Sequence, residues 1–468
     1  MRFAFLLLLV TIPASIFAQE GYEHFSPIAH GAGKTYVTTS QGLSAIGLNP
    51  SRITPEAGTS LVVSVFPVSG FGFDKGPSWS GDSLASVFNL NGGNISNPDR
   101  KRISNLLLNE KMSGRIDGEI LAIDYVVPQL GTLAFSWTTH AALRTDIPDA
   151  FLNFFINAES QLLQYTNSYS GFDFSGMWYS EYTLTYAREM FHSKDFLSSL
   201  KIGGAIKYVS GTGYIGLDKN NRFAYKAISN GTSIDVNYKV QSAYTNDFDP
   251  KNIPTSFSFK FITNNQAGSG VGMDIGASAD FFPNSDGIPG LSLGTSISDI
   301  GSITWSSNAT ERVANNLHRD IKSSGTISEL NDSLKALSGI LTHISSFTTS
   351  LPTMFRFGAM LNLDQAGMSL PFFASKAAIE YDAGLADVVG SLSHPRLGFG
   401  ISGEHYNSVA SLRAEIGYYV QHGQSDLTIG VGTTLFNHIS VDVATAHLGD
   451  LFASEARTDL ALALRVQF

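Results

Sequence analysis

The last ten residues, Asp459-Leu-Ala-Leu-Ala-Leu-Arg-Val-Gln-Phe468, decide how the rest of the chain is read. Every second residue back from the end gives Phe468, Val466, Leu464, Leu462 and Leu460 on one face, and Gln467, Arg465, Ala463, Ala461 and Asp459 on the other. That period of two is the signature of a strand. The polar set carries both signs of charge while the apolar set is uninterrupted, as in a wall between water and lipid. A lone strand in lipid would leave N–H and C=O groups unpaired at a cost of several kcal/mol each, so its edges must be paired all the way round. The sequence therefore predicts an all-β fold, a transmembrane antiparallel β-barrel. The competing reading is an edge strand of a soluble sandwich that happens to end in Phe.

The opening residues and the composition agree with an exported membrane protein. Met-Arg-Phe-Ala-Phe-Leu-Leu-Leu-Leu-Val starts an apolar run to Ala18 behind one positive charge, which reads as a signal peptide over 1–18 cleaved before Gln19, although Ile16 stands where a smaller residue is usual. There is no Cys, which excludes a lipoprotein anchor, disulfides and thiolate metal sites. No later run is long and apolar enough for a membrane helix. Charged residues are only 15%, aromatics 11%, Gly 45 of 468 and mean hydropathy +0.05, a balance that suits uncharged polar residues inside a barrel and aromatics at two interfaces. A net charge of −10 argues against a nucleic-acid partner. The implied location is the outer membrane of a Gram-negative bacterium, with outer-membrane lipid as the first partner.

Alternation and turn signals mark strand candidates from Thr59 to the end, near 59–74, 114–127, 130–143, 172–188, 198–210, 272–282, 291–299, 354–363, 371–382, 396–405, 409–420, 426–436, 438–447 and 457–468. This predicts 14 wall strands over 59–468, an even number as barrels prefer. The stretch 221–244 leaves an alternative of 16, because Ser229-Asn-Gly-Thr232 is a good hairpin turn and Ile234 to Gln241 alternates cleanly. The favoured reading keeps it as an extracellular hairpin. Long connections at 76–113, 145–170, 211–270 and 301–352 fall on one end, the extracellular one. Three carry helical spacing: Phe151, Phe154, Phe155, Ala158, Leu162 and Tyr165; Leu330, Leu334, Leu337, Leu341 and Ile344; and Ile103, Leu106 and Leu107. Such helices bury their apolar face against the barrel, the outer leaflet or a ligand.

Residues 19–58 are too apolar for a free tail and are expected to fold back as an N-terminal plug. Within them, Leu48-Asn49-Pro50-Ser51 resembles the Asn-Pro-Ala hatch of the FadL-like long-chain fatty-acid transporters and their relatives, the PorV-type barrels of the type nine secretion system. The match covers some 15 residues. Ser51 replaces Ala and Arg52-Ile53 replaces the usual Gly-Leu, which places the chain in a separate branch of that superfamily. Asn49-Pro50 also reads simply as a turn. The final strand resembles the terminal signal read by the barrel-assembly machinery, with Phe468, Val466 and Leu464 matching it. The resemblance implies passage of hydrophobic small molecules such as fatty acids, with Asn49, Pro50 and Ser51 as hatch and Phe151, Phe154, Phe155 and Leu162 bordering a ligand groove. It also admits a non-conducting scaffold or shuttle barrel for secreted or surface proteins.

Signals for chemistry are weak. Gly211-Thr-Gly213-Tyr-Ile-Gly216 fits a dinucleotide fingerprint but no helix follows, so it is read as a flexible loop. Asp247-Phe-Asp249 lacks the acidic spacing of a Ca²⁺ loop, and the 11 His residues show no ligand spacing. No nucleophile elbow is present. The expectation is therefore no enzyme, no cofactor and no metal. Glu119, Lys207, Lys239, Glu380, Glu404, Arg413, Glu415 and Arg465 sit mid-strand and are expected to face the lumen, since a Lys or Arg at the bilayer midplane costs about 2–4 kcal/mol.

Overall fold

The computed structural model describes residues 26–54, 61–64, 70–74, 111–146, 166–245, 266–322, 332–333, 336–368, 374–406, 409–421, 424–436, 438–446 and 458–467. Twenty-one strands, numbered along the chain, form one antiparallel sheet. β1 (Leu61–Ser64) and β2 (Gly70–Asp74) both pair with β3 (Lys111–Val127). β3 pairs with β4 (Gly131–Asp146), β4 with β6 (Asp173–His192), β6 with β7 (Leu197–Leu217) and β7 with β10 (Gly268–Pro283). β10 then meets β11 (Pro289–Trp305), and β11 meets β15 (Met354–Asn362). The order runs on through β16 (Ala374–Gly384), β17 (Arg396–Tyr406), β18 (Ala410–Gln421), β19 (Gln424–Leu435), β20 (Ile439–Thr445) and β21 (Thr458–Gln467). The other edge of β21 ladders with β1 and β2. Among the described residues no helix is long and apolar enough to cross a membrane, which says nothing against crossing with strands.

Burial along these strands is inverted relative to a water-soluble sheet. In β21, Asp459, Ala461, Ala463 and Arg465 are buried while Leu460 and Leu464 are exposed, so the alternation read from the sequence places charge on the covered face and leucine on the open one. The same holds elsewhere: Ile206 (67% exposed), Val271 (72%), Phe357, Ile401 and Val431 lie open, while Lys207, Arg356, Glu380, Asp382 and Arg396 are buried. Val466 is half-buried, and Phe468 lies outside the described residues.

Several turns at one end are tight: Pro128–Leu130 closes β3–β4 with Gln129 in the left-handed region at φ 65°, and residues 193–196 join β6 to β7. At the other end β5 (Thr166–Ser170), β8 (Arg222–Ile228), β9 (Gly231–Tyr244), β12 (Thr310–Lys322) and β13 (Ile340–His343) pair in that order. This patch joins the rest through β9 and the last residues of β7. β14 (Phe347–Ser350) extends the β15 side of β11. The 221–244 stretch is thus a hairpin, β8 on β9.

Two expectations are corrected here. Leu341 does not continue a helix from Leu330: Ile340–His343 is a strand, because the edge of β12 offers it backbone partners from Thr310 to Val313. Gly211–Gly216 is not a loop either, since β6 and β9 supply partners that keep it in β7. Residues 99–110 and 149–165 of the expected helices, with Phe151, Phe154, Phe155 and Leu162, lie outside the described residues, and Lys111 begins β3.

Candidate functional site

Residues 26–53 lie on the polar face of the sheet and are almost wholly buried. Helix α1 (Pro27–Gly31) starts at Ser26, whose hydroxyl caps Ala29 N, and carries Pro at its first position. It packs on β18 to β21, and α2 (Tyr36–Thr39) packs on β11, β15 and β16. Leu43, Ala45, Ile46 and Ile53 then meet Ala122, Ala134 and Ala187, three small residues on β3, β4 and β6.

Room for this segment comes from glycines in the wall. A Cβ on Gly203 of β7 would lie 2.4 Å from the Pro50 carbonyl, and one on Gly276 of β10 would lie 2.2 Å from Asn49 Oδ1. Gly400 of β17, Gly417 of β18 and Gly430 of β19 are similarly pressed against Ala32, Gly33 and Gly31. Each lies mid-strand, where glycine weakens a strand unless another backbone approaches it.

Asn49, Pro50 and Ser51 form one compact turn. Asn49 Nδ2 donates to Val37 O at 3.0 Å, and its Oδ1 accepts from Ser51 N at 3.2 Å and Ser51 Oγ at 2.8 Å. Pro50 opens a short 3₁₀ turn through Arg52 that has Asn49 as its N-cap. Ser51 Oγ also lies 3.1 Å from Ser278 Oγ on β10, and Ser296 on β11 donates to Leu48 O at 2.6 Å. Ser51, where the resembling hatch has Ala, thus adds a tie to the wall.

Charged side chains bolt the segment at two further points. Asp459 of β21 receives Lys34 Nζ at 3.0 Å and Arg115 Nη2 at 3.1 and 3.0 Å, with His30 Nε2 at 3.3 Å. All four residues are buried. Burial pushes the His30 imidazole below its usual 6.5, against the pull of Asp459. On β16, Glu380 Oε2 accepts from Val37 N at 2.6 Å, and its neighbour Asp382 holds Arg396, whose guanidinium lies 5.5 Å from the Tyr36 ring centre.

Most of the mid-strand charges named from sequence do share this face and pair with strand neighbours. Lys207 meets Glu181 at 3.2 Å, Asp274 at 3.1 Å and Asp299. Arg413 meets Asp442, with Glu404 at 3.8 Å, and Arg465 lies 3.9 Å from Asp442. Lys239 differs: it lies on β9 in the end patch and pairs with Glu311 of β12 at 2.7 Å. Its alternation was correct, but the sequence could not place β9 outside the main ladder. No group of three or more His, Asp or Glu among the described residues is arranged to hold a metal ion.

Further along β7, past Lys207, the polar face turns apolar. Met177, Tyr179, Val209, Ile303, Trp305 and Leu351 cluster there, and Tyr214 packs at a tilt against Trp305 and Phe347 with ring centres 5.6 and 5.4 Å away. An apolar pocket of about 410 Å³ lies at the same end, lined by Met177 and Tyr214 and also by Ile116 and Ile215, which are exposed on the open face. Sequence reasoning missed this cluster because its members come from four separate strands and the residue after them.

Among the solved structures similar to this chain are the TodX deltaS2S3 mutant monoaromatic hydrocarbon channel (9% identity, 96% of this chain and 99% of that one, TM-score 0.44), a Pseudomonas aeruginosa FadL homologue (10%, 97% and 98%, TM-score 0.42) and the Pseudomonas putida toluene transporter TodX (10%, 97% and 98%, TM-score 0.37). No curated protein matches it in sequence. A family model does match, over residues 61–437, and by that match the chain belongs to the family of unknown function DUF5723.

Proposed function

We propose that this protein is an outer-membrane β-barrel of 14 wall strands, plugged by residues 26–54, through which small hydrophobic molecules pass. One observation carries the membrane reading: leucine, isoleucine and valine lie open on strand after strand while Lys, Arg, Asp and Glu are buried on the opposite face. In water such an arrangement would forfeit the apolar burial that drives folding. In lipid it is the expected one, because the outer face meets hydrocarbon. The count of 14 takes β1 with β2, and β14 with β15, as single wall positions and leaves β5, β8, β9, β12 and β13 as an extracellular patch. Closure is supported by the pairing of β21 with β20 on one edge and with β1 and β2 on the other.

Passage of hydrophobic molecules is supported by the apolar end of the lumen above the seated segment and by the Leu48–Ser51 hatch resemblance. The test is entry of a lipophilic dye, N-phenyl-1-naphthylamine, into outer-membrane vesicles with and without the protein. Faster entry supports passage; equal entry at equal protein level contradicts it. The buried bolts at Asp459 and Glu380 favour a second reading, a non-conducting scaffold for secreted or surface proteins, since a segment held by buried charge is costly to displace. Mild crosslinking in cells separates the two, because a stoichiometric protein partner with no dye entry selects the scaffold.

A further inference from the structure

The connection between β16 and β17, residues 385–395, has no part in the reading so far. Its ends are neighbours, Asp382 facing Arg396 across the ladder, so a tight turn would have sufficed. Instead Leu385 N donates to Thr353 O at 2.8 Å, Ser391 N donates to Val388 O at 3.1 Å, and Gly390 takes φ 91°, which folds the tip over. Val389 and Leu392 are each only 3% exposed. Val389 belongs to the apolar cluster of Met177, Tyr179, Val209 and Trp305.

Those partners are remote from the loop's own strands. From β16 to β6 is five pairings along the ladder, through β15, β11, β10 and β7. At the far side Arg144 Nη1 donates to Val388 O at 3.4 Å, Arg144 Nη2 lies 3.6 Å from Asp387, and Lys219 bonds the Asp387 carboxylate. Arg144 is itself anchored to Asp173 at 2.7 Å.

We propose that residues 385–395 are a built-in lid, which fills the apolar end of the lumen with Val389 in the place a ligand would take and must swing outward to admit one. The inference rests on the lumen assigned above. The two sets of ties to the lumen differ in kind. The N-terminal segment is held by fully buried charges, whereas the side chains of Asp387 and Lys219 are 63% and 47% exposed, so water and salt screen their attraction. Lys219 nevertheless holds the Asp387 carboxyl below its usual range. The lid is therefore the part poised to move.

The chain has no Cys, so one engineered thiol is a clean probe. Val209→Cys places it under the lid at a fully buried position. In the full-length protein in liposomes, labelling by a membrane-impermeant maleimide is expected to be slow, and about tenfold faster once Asp387→Asn and Val389→Ser remove the latch and the apolar anchor. Salt at 1 M is expected to speed labelling of the protein with the lid intact. Heat-modifiable mobility on gels confirms that each variant is folded. Equal rates in folded proteins with and without the lid changes would overturn the lid. Because the readout is thiol access and not dye entry, a failed uptake assay leaves the lid standing, and unchanged labelling removes the lid alone.

Discussion

Replacing Asp459 by Asn should unseat the N-terminal segment more than any other single polar change. The carboxylate takes two bonds from Arg115 and one from Lys34, and His30 lies 3.3 Å away, with none of these groups in contact with bulk water. Asn keeps the shape but withdraws the carboxylate charge that Lys34 and Arg115 share. Removing one partner of a buried pair costs about 3–5 kcal/mol. Lys34 belongs to the segment while Arg115 and Asp459 belong to β3 and β21, so the Lys34 share of the loss falls on the contact between segment and strands. At about 1.4 kcal/mol per factor of ten, the equilibrium for release should shift by at least about two orders of magnitude. The assay is protease cleavage within residues 26–54 in liposome-reconstituted protein, with Lys34→Met added to Asp459→Asn as the second arm. The double variant should recover part of the loss, because it no longer buries an ammonium deprived of the Asp459 carboxylate. A single Asn variant as protected as the parent, or a double variant worse than the single, would refute the reasoning.

Other outcomes follow from the same geometry. Gly203→Ala should disturb the Asn49–Ser51 turn at about 1–3 kcal/mol, since its Cβ would lie 2.4 Å from Pro50, whereas Gly204→Ala, whose Cβ has no neighbour nearer than 3.6 Å, should stay within about 0.5 kcal/mol; urea unfolding in lipid compares them. Ile206→Lys should cost about 2–4 kcal/mol in the same experiment, an exposed position that a water-soluble sheet would tolerate freely. Seating of the segment should weaken as pH falls below 6.5: His30 is held neutral by burial, the released segment takes up the proton first, and stability is present above that pH and lost below it. His30→Gln should flatten that part of a protease-protection profile. Deleting the residues before Thr59 should raise single-channel conductance in planar bilayers, and unchanged conductance would count against a plug.

What could be read in the sequence was local. The two faces of β21 were legible because alternation is a property of consecutive residues, and most wall strands were legible for the same reason. Asn49, Pro50 and Ser51 stand out in the sequence by resemblance, and their turn by the Asn-Pro pair. Their seat does not, since Gly203 and Gly276 meet Asn49 and Pro50 from more than 150 positions away and look in sequence like strand-weakening glycines. Asp459 could be assigned to the polar face, but nothing local ties it to His30, Lys34 and Arg115. Leucine spacing predicts a helix where β13 lies, because it carries no trace of the edge of β12 that recruits the strand. Residues 385–395 carry no local signal, and the burial of Val389 and Leu392 sets them apart.

The central claim is that the leucine face of these strands meets lipid. Single cysteines at Asp459 through Arg465, each carrying a fluorophore and reconstituted in bilayers of brominated lipid, test it directly. Quenching strong at 460, 462 and 464 and weak at 459, 461, 463 and 465 is the predicted result. Quenching that is uniform along β21, or strongest at the charged positions, would contradict the membrane wall.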